Sequence, residues 1–246
     1  MMKCNWIRVW IVLGVLCVLA SSACREESAV NFETGMEAYS QRDYETALEK
    51  WRPLAARGHS SAQSNLGVMY YQGLGVRRNF PEALKWYRMA AMQGHPDAQF
   101  NLGVAYTEGR AARRDYEEAL RWYKMSAEQG YAPAQLVLGN MYSKAQGVER
   151  DAAEATKWYR QAAEQGNLTA IFLVGSSYLS GEEDEQDLVQ AYMWFAVAAA
   201  LGPQGAQETA NRNKELVAQQ MTPEQIAEAE ELAKNWEPVR SINGGQ

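Results

Sequence analysis

Small and apolar residues return along this chain at a fixed interval. Ala62, Leu66, Gly67 and Tyr70 recur as Ala98, Leu102, Gly103 and Tyr106, then as Ala134, Leu138, Gly139 and Tyr142, each set 36 residues on. Ala170, Val174, Gly175 and Tyr178 make the fourth set. Offsets of four, five and eight put each set on one face of a helix. The glycine in the middle has no side chain, so the spacing predicts close approach of a partner backbone there. Gly58, Gly94, Gly130, Gly166 and Gly202 precede these segments at the same period. Glycine suits the left-handed residue that ends a preceding helix.

A second helix follows in every period. Asn79, Asp115, Asp151 and Asp187 are each followed three residues later by Glu82, Glu118, Glu154 or Gln190. That spacing predicts a capping box: the short side chain accepts from an orphan N–H and the longer one reaches back. Pro81 fits the first turn, where no amide donor is needed. The helix then carries Ala83, Trp86 and Tyr87, repeated as Ala119, Trp122 and Tyr123, Ala155, Trp158 and Tyr159, and Ala191, Trp194 and Phe195.

A fixed period of this length marks stacked helical hairpins, each packed only on its neighbours. The predicted class is all-α, a right-handed α/α solenoid of helix-turn-helix repeats closed by C-terminal capping helices. The expected divisions are 1–23 signal peptide, 24–30 tether, 31–57 degenerate first unit, 58–206 solenoid, 207–237 capping helices and 238–246 flexible tail. In the first unit Gly35 and Ala47 are closer than Gly67 and Ala83, and Trp51 stands where Tyr87 predicts tyrosine. At the other end Thr222-Pro-Glu-Gln225 opens a helix to about Trp236. Its stripe of Ile226, Ala229, Leu232 (or Ala233) and Trp236 is expected to cover the last repeat.

The recurring strings Ala-Gln-x-Asn-Leu-Gly-x-x-Tyr, Gly-x-Gly-Val, Glu-Ala-Leu-x-Trp-Tyr and Ala-x-Gln-Gly resemble the Sel-one-like repeat family, a relative of tetratricopeptide repeats. The resemblance covers roughly residues 43–206. It implies a right-handed superhelix that holds partner proteins. The chain departs at Gly109, which lacks a second glycine two residues on, at Ala145 in place of the first loop glycine, and at the acidic loop after Gly181. It also lacks the cysteine pair that staples each repeat in one subgroup.

All three cysteines, Cys4, Cys17 and Cys24, lie in the first 24 residues, which excludes disulfides and thiolate chemistry from the repeats. Lys3 and Arg8 flank the apolar run Val9–Ala20, followed by Ser21-Ser22-Ala23. This is the layout of a secretory signal peptide. Cleavage before Cys24 resembles bacterial lipoprotein processing, with lipidation of that cysteine; cleavage after the small residues without lipidation gives a soluble periplasmic product. Stable anchoring takes more than one acyl chain. Removing residues 1–23 moves the net charge from −6 to −8, since Lys3 and Arg8 are their only charges. Such an acidic chain argues against nucleic acid as a partner.

Little in the sequence points to chemistry. His59 and His95 share a repeat position with Tyr131, Asn167 and Pro203, which suits neither a ligand nor a base. No zinc helix, phosphate loop or nucleophile elbow is present, and no cofactor, metal or small-molecule substrate is expected. The tryptophans read as packing residues. Glu182, Glu183, Asp184, Glu185 and Asp187 read as a solvated loop. Arg77-Arg78 and Arg113-Arg114 occupy the equivalent loops earlier, followed by Glu149-Arg150, suggesting a charge edge, positive early and negative late, that orients a partner or a second copy head-to-tail.

By analogy with tetratricopeptide packing, first-helix positions outside the core line a groove: Ser64, Phe100, Leu136 and Phe172; Val68, Val104, Asn140 and Ser176; Tyr71, Thr107, Ser143 and Leu179. An apolar strip flanked by hydroxyls and amides suits a helix or extended peptide. The alternative is that Phe100, Leu136 and Phe172 seal neighbouring repeats. The sequence therefore predicts a non-enzymatic scaffold of the bacterial cell envelope, binding envelope proteins and held to the outer membrane through Cys24. A glycan- or peptidoglycan-binding envelope protein is the alternative, and needs ring faces open in the groove.

Overall fold

The computed structural model describes residues 27–110, 113–181 and 186–239. The expected signal segment, Cys24 and the acidic residues 182–185 lie outside them. Among the described residues 77% are helical, in 12 helices with no strand, so the fold is all-α. Two compact units divide between His95 and Pro96.

The first unit holds two hairpins. Helix α1 covers residues 27–40 and pairs with α2, Tyr44–Ala56. Residues 27–30, expected to be tether, are therefore the first turn of α1. Helix α3, Ser60–Gln72, pairs with α4, Phe80–Met92. Trp51 lies across Gly35, where an added β-carbon would fall 2.3 Å from its Nε1, and that nitrogen donates to the Phe32 carbonyl at 3.2 Å. The shortened first hairpin thus uses indole where the next uses phenol.

The second unit repeats the hairpin as α5 (Pro96–Glu108) with α6 (Tyr116–Glu128), α7 (Ala132–Lys144) with α8 (Ala152–Glu164), and α9 (Leu168–Ser180) with α10 (Leu188–Leu201). Helices α11 (Gln204–Ala218) and α12 (Pro223–Asn235) pack on α10. Ala229 is buried there, Ile226, Ala233 and Trp236 pack on the same core, and Trp236 meets Trp194 edge-on at 5.9 Å. Leu232 points outward, so Ala233 completes the stripe. The start of the expected loose tail is tied down: Val239 N–H donates to the Glu164 carbonyl at 2.7 Å.

The central glycines admit rings rather than backbone. A β-carbon on Gly67, Gly103, Gly139 or Gly175 would lie 2.4, 2.7, 2.5 or 2.9 Å from the rings of Tyr87, Tyr123, Tyr159 and Phe195 respectively. All four rings are buried. Each therefore enters a notch that only glycine leaves open.

The second helices begin as predicted at one end of the capping box only. Asn79, Asp115, Asp151 and Asp187 accept from the N–H three residues on, at 3.1, 3.0, 2.9 and 2.9 Å. The reciprocal arm is replaced. Each cap N–H donates instead to a first-helix carbonyl, that of Tyr70, Tyr106, Tyr142 or Tyr178. This backbone bond closes the hairpin. Freed from the cap, Glu82 pairs with Lys85, Glu154 with Lys157, and Glu118 with both Arg121 and the Trp122 indole N–H. Among the described residues, both arms form at Thr222 and Gln225.

The turn glycines at 58, 94, 130 and 166 take positive φ, as predicted, whereas Gly202 has φ −76°. Ala145 holds the left-handed conformation, φ 55°, at a position where α3 and α9 end in glycine.

Candidate partner-binding face

Glutamines that the sequence offered no role organise the seams between helices. Gln63, Gln99 and Gln135 are buried, and each accepts from the amide 30 residues on, Gln93, Gln129 or Gln165, at 2.7 to 2.8 Å. Gln63 and Gln135 also donate to the Ala55 and Ala127 carbonyls at the end of the preceding helix. One amide pair thereby ties three helix ends together. In the last hairpin both members change together, to Ile171 and Leu201. A lone buried amide costs more than its hydrogen bond contributes, so the pair is kept or lost as a unit.

Trp158 packs on Ala127 of the neighbouring hairpin as well as on Leu138 of its own. Trp158 and Trp194 are buried, and Trp86 packs on the core of α2 and α3. His59 caps α3 through Nδ1, accepting from Ala62 N–H at 3.3 Å, and stacks on Phe32. Asn167 plays the same part for α9. The shared repeat position is thus a helix cap. The sequence signal was its place just after each turn glycine.

The first-helix positions expected to line a groove divide. In the first unit Ser64 is buried, only 3% exposed, and is removed from the candidate face because its helix packs it inward. Val68 and Tyr71 stay half-buried, with Tyr71 edge-on to Phe80 at 5.1 Å. In the second unit Phe100, Leu136 and Phe172 are half-buried. They take part in the packing between helices. Phe100 contacts the rings of Tyr123 and Tyr131, each at 5.5 Å, and Phe172 contacts Phe195, while part of each stays open. Val104 and Leu179 are half-buried beside them, and Ser176 is exposed.

The polar members of this face are held by the notch rings. Thr107 Oγ1 donates to the Gly103 carbonyl and lies 3.3 Å from the Tyr123 hydroxyl. The Tyr159 hydroxyl donates to Asn140 Oδ1 at 3.0 Å and also interacts with Ser143. Burial pushes the Tyr123 phenol up to about 12, with the Thr107 bond pulling the other way. Burial likewise raises Tyr87 and Tyr159. At neutral pH all three phenols are uncharged. Where the ring is Phe195, no hydroxyl is offered, and Ser176 turns to the Phe172 carbonyl instead.

Arg77 and Arg78 are exposed in the first unit, where Arg78 lies over Phe80, and Arg113 and Arg114 are exposed in the second. Among the described residues no group of three His, Cys, Asp or Glu side chains is placed to hold a metal. No described helix is long and apolar enough to cross a membrane.

The Sel1 repeat family model matches residues 60–95, 96–131, 132–167 and 168–203, four contiguous periods and more than half of the chain. The chain belongs to the Sel1 repeat family. Sel1 repeats build α/α solenoids, a fold of the protein–protein interaction scaffold type. Among solved structures the chain is similar to c5321, a protective antigen present in uropathogenic Escherichia coli strains and displaying an SLR fold. Identity is 31% and TM-score 0.74, over 89% of this chain and 47% of that one. The chain thus spans about half the length of that structure. It is also similar to a Sel1 repeat protein from Oxalobacter formigenes, at 29% identity and TM-score 0.68, over 84% of this chain and 100% of that one. A Klebsiella pneumoniae Sel1 repeat structure shares the fold at 19% identity and TM-score 0.52, over 76% of this chain and 92% of that one. No curated protein matches the chain.

Proposed function

We propose that this Sel1 repeat protein is a non-enzymatic scaffold that holds a partner protein on the first-helix face of α5, α7 and α9. One observation carries the reading. Phe100, Leu136 and Phe172 pack into the seams yet stay partly open, beside Thr107, Asn140 and Ser143, whose hydroxyls and amide edge the strip. Such a surface suits a peptide or helix laid across it. Photo-crosslinking tests it. A photoreactive residue at Val104 or Leu179 should yield a discrete protein adduct in cells, and one at Met125, exposed on α6, should not. Equal labelling at all three sites, or none, would reject the face. Quenching of tryptophan fluorescence by glycan fragments would favour a sugar-binding role instead.

The same reading places the protein in the cell envelope, exported by residues 1–23 and anchored through Cys24 to the outer membrane, where its partners are envelope proteins. Its support is the order of charge, apolar run and small residues before Cys24. A fatty-acid probe should label the wild type and leave Cys24→Ser unlabelled.

A further inference from the structure

Helices α5, α7 and α9 carry few formal charges. Asp97 and Glu108 lie in the end turns of α5, Lys144 closes α7, and α9 has none. Asp97 is engaged by the Tyr131 phenol, and Glu108 pairs with Arg110 at 2.9 Å. Between those ends the strip contains only apolar and neutral polar side chains. A charged partner segment would meet no opposite charge on these helices between those ends, which disfavours it.

Asn140 stands in the middle of this strip. Its oxygen accepts from Tyr159, and that bond fixes which edge of the amide faces the ring. The other edge holds two N–H donors. Among the described residues nothing accepts from them. The half-buried Leu136 stands one helical turn before Asn140, and the half-buried Phe172 lies at the equivalent place on α9.

We propose that the strip takes an uncharged, apolar segment in extended conformation, and that Asn140 is the residue that fixes its register by donating to a main-chain carbonyl. An extended chain presents such carbonyls at regular intervals, whereas a helix has already used its own. Apolar side chains on either side of that carbonyl would settle against Leu136 and Phe172. Recognition then depends on hydrogen bonding and apolar burial and is almost independent of ionic strength. This inference rests on the proposed binding face and adds the chemistry of the occupant.

The test uses the full chain and fluorescence-labelled ten-residue peptides of three classes: uncharged Leu/Val/Ser sequences, glutamate-rich sequences and lysine-rich sequences. Uncharged peptides should bind best, with Kd moving less than about two-fold between 50 and 500 mM salt. Asn140→Asp keeps an acceptor for Tyr159 and removes the donors. It should weaken the uncharged peptides about ten-fold, and Asn140→Leu, which removes the donors without adding a charge, should weaken them as well. An ester substituted for one peptide amide weakens that carbonyl as an acceptor. One ester position should cost affinity in the wild type and not in Asn140→Asp. Preference for either charged class, or an unchanged Kd in Asn140→Asp, would overturn the inference and leave the binding face standing. Binding of no peptide class, with self-association that Asn140→Asp abolishes, would overturn the extended partner in favour of a second copy. Absence of both would reject the face itself.

Discussion

Tyr123 fills the space in which Gly103 would carry a side chain. A methyl there would sit 2.7 Å from the ring Cε1, inside any real contact distance. Gly103→Ala must displace the phenol, and overpacking of a close-fitting core costs about 1–3 kcal/mol. The corresponding distance is 2.4 Å at Gly67 and 2.9 Å at Gly175. Urea unfolding should rank Gly67→Ala as more damaging than Gly175→Ala. Equal midpoints would mean that the rings move aside at little cost.

Ala145 offers the reverse case. Its φ of 55° is strained for a residue with a β-carbon. Ala145→Gly should stabilise the protein by about 0.5–1 kcal/mol, the relief exceeding the added freedom of the unfolded chain. A lower urea midpoint in the variant would contradict this.

The two halves of the capping motif should differ in weight. Asp115 accepts from Glu118 N–H, and its loss in Asp115→Ala should cost about 0.5–2 kcal/mol. Glu154 does not reach back to its cap and forms a surface pair with Lys157. Glu154→Ala should cost under about 1 kcal/mol. Thermal melts of the two variants would show the contrast, and comparable losses would refute it.

Gln135 and Gln165 should behave as one group. Gln135→Ile strips Gln165 of an acceptor at 2.8 Å and should cost about 1 kcal/mol or more. Adding Gln165→Leu reproduces the arrangement of Ile171 and Leu201 and should recover part of the loss. A double-mutant cycle measures the coupling; strict additivity would show that the pair is incidental.

The notch phenols set an alkaline limit. The ordinary phenol value is 10.0, and burial lifts Tyr123 to about 12. Below pH 10 the phenol is protonated folded and unfolded, and its contribution is fully present. From about pH 10 to 12 the unfolded chain ionises first, so stability falls as pH rises. Tyr123→Phe, which copies Phe195, should flatten this fall in urea midpoints taken between pH 9 and 11.5. An unchanged slope would place the sensitivity elsewhere.

Periodicity made the helices legible because each position meets the same surroundings in every repeat. Gly67, Trp158 and Asp151 could be assigned to faces and caps from spacing alone. The contacts between elements were less legible. Spacing showed that Gly103 needed room but not that Tyr123 used it. The Asp115 and Glu118 pair matched a capping box, yet Tyr106 supplied the acceptor that the cap N–H takes. Gln99 and Gln129 recurred without a visible purpose, because a side chain that bonds across 30 residues leaves no local pattern. On the candidate face, Asn140 was found by its position, while its orientation depends on Tyr159, a residue of the other helix.

The bond from Asp151 N–H to the Tyr142 carbonyl has a wider implication. It spans nine residues, and the ring that fills the Gly139 notch comes from twenty residues on, so a hairpin completes itself within one stretch of coding sequence. A 36-residue cassette duplicated or deleted in the gene carries those bonds along intact. Length, and with it the number of partly open first-helix positions, can thus be altered in a single genetic step while the bonds within each hairpin stay as they are.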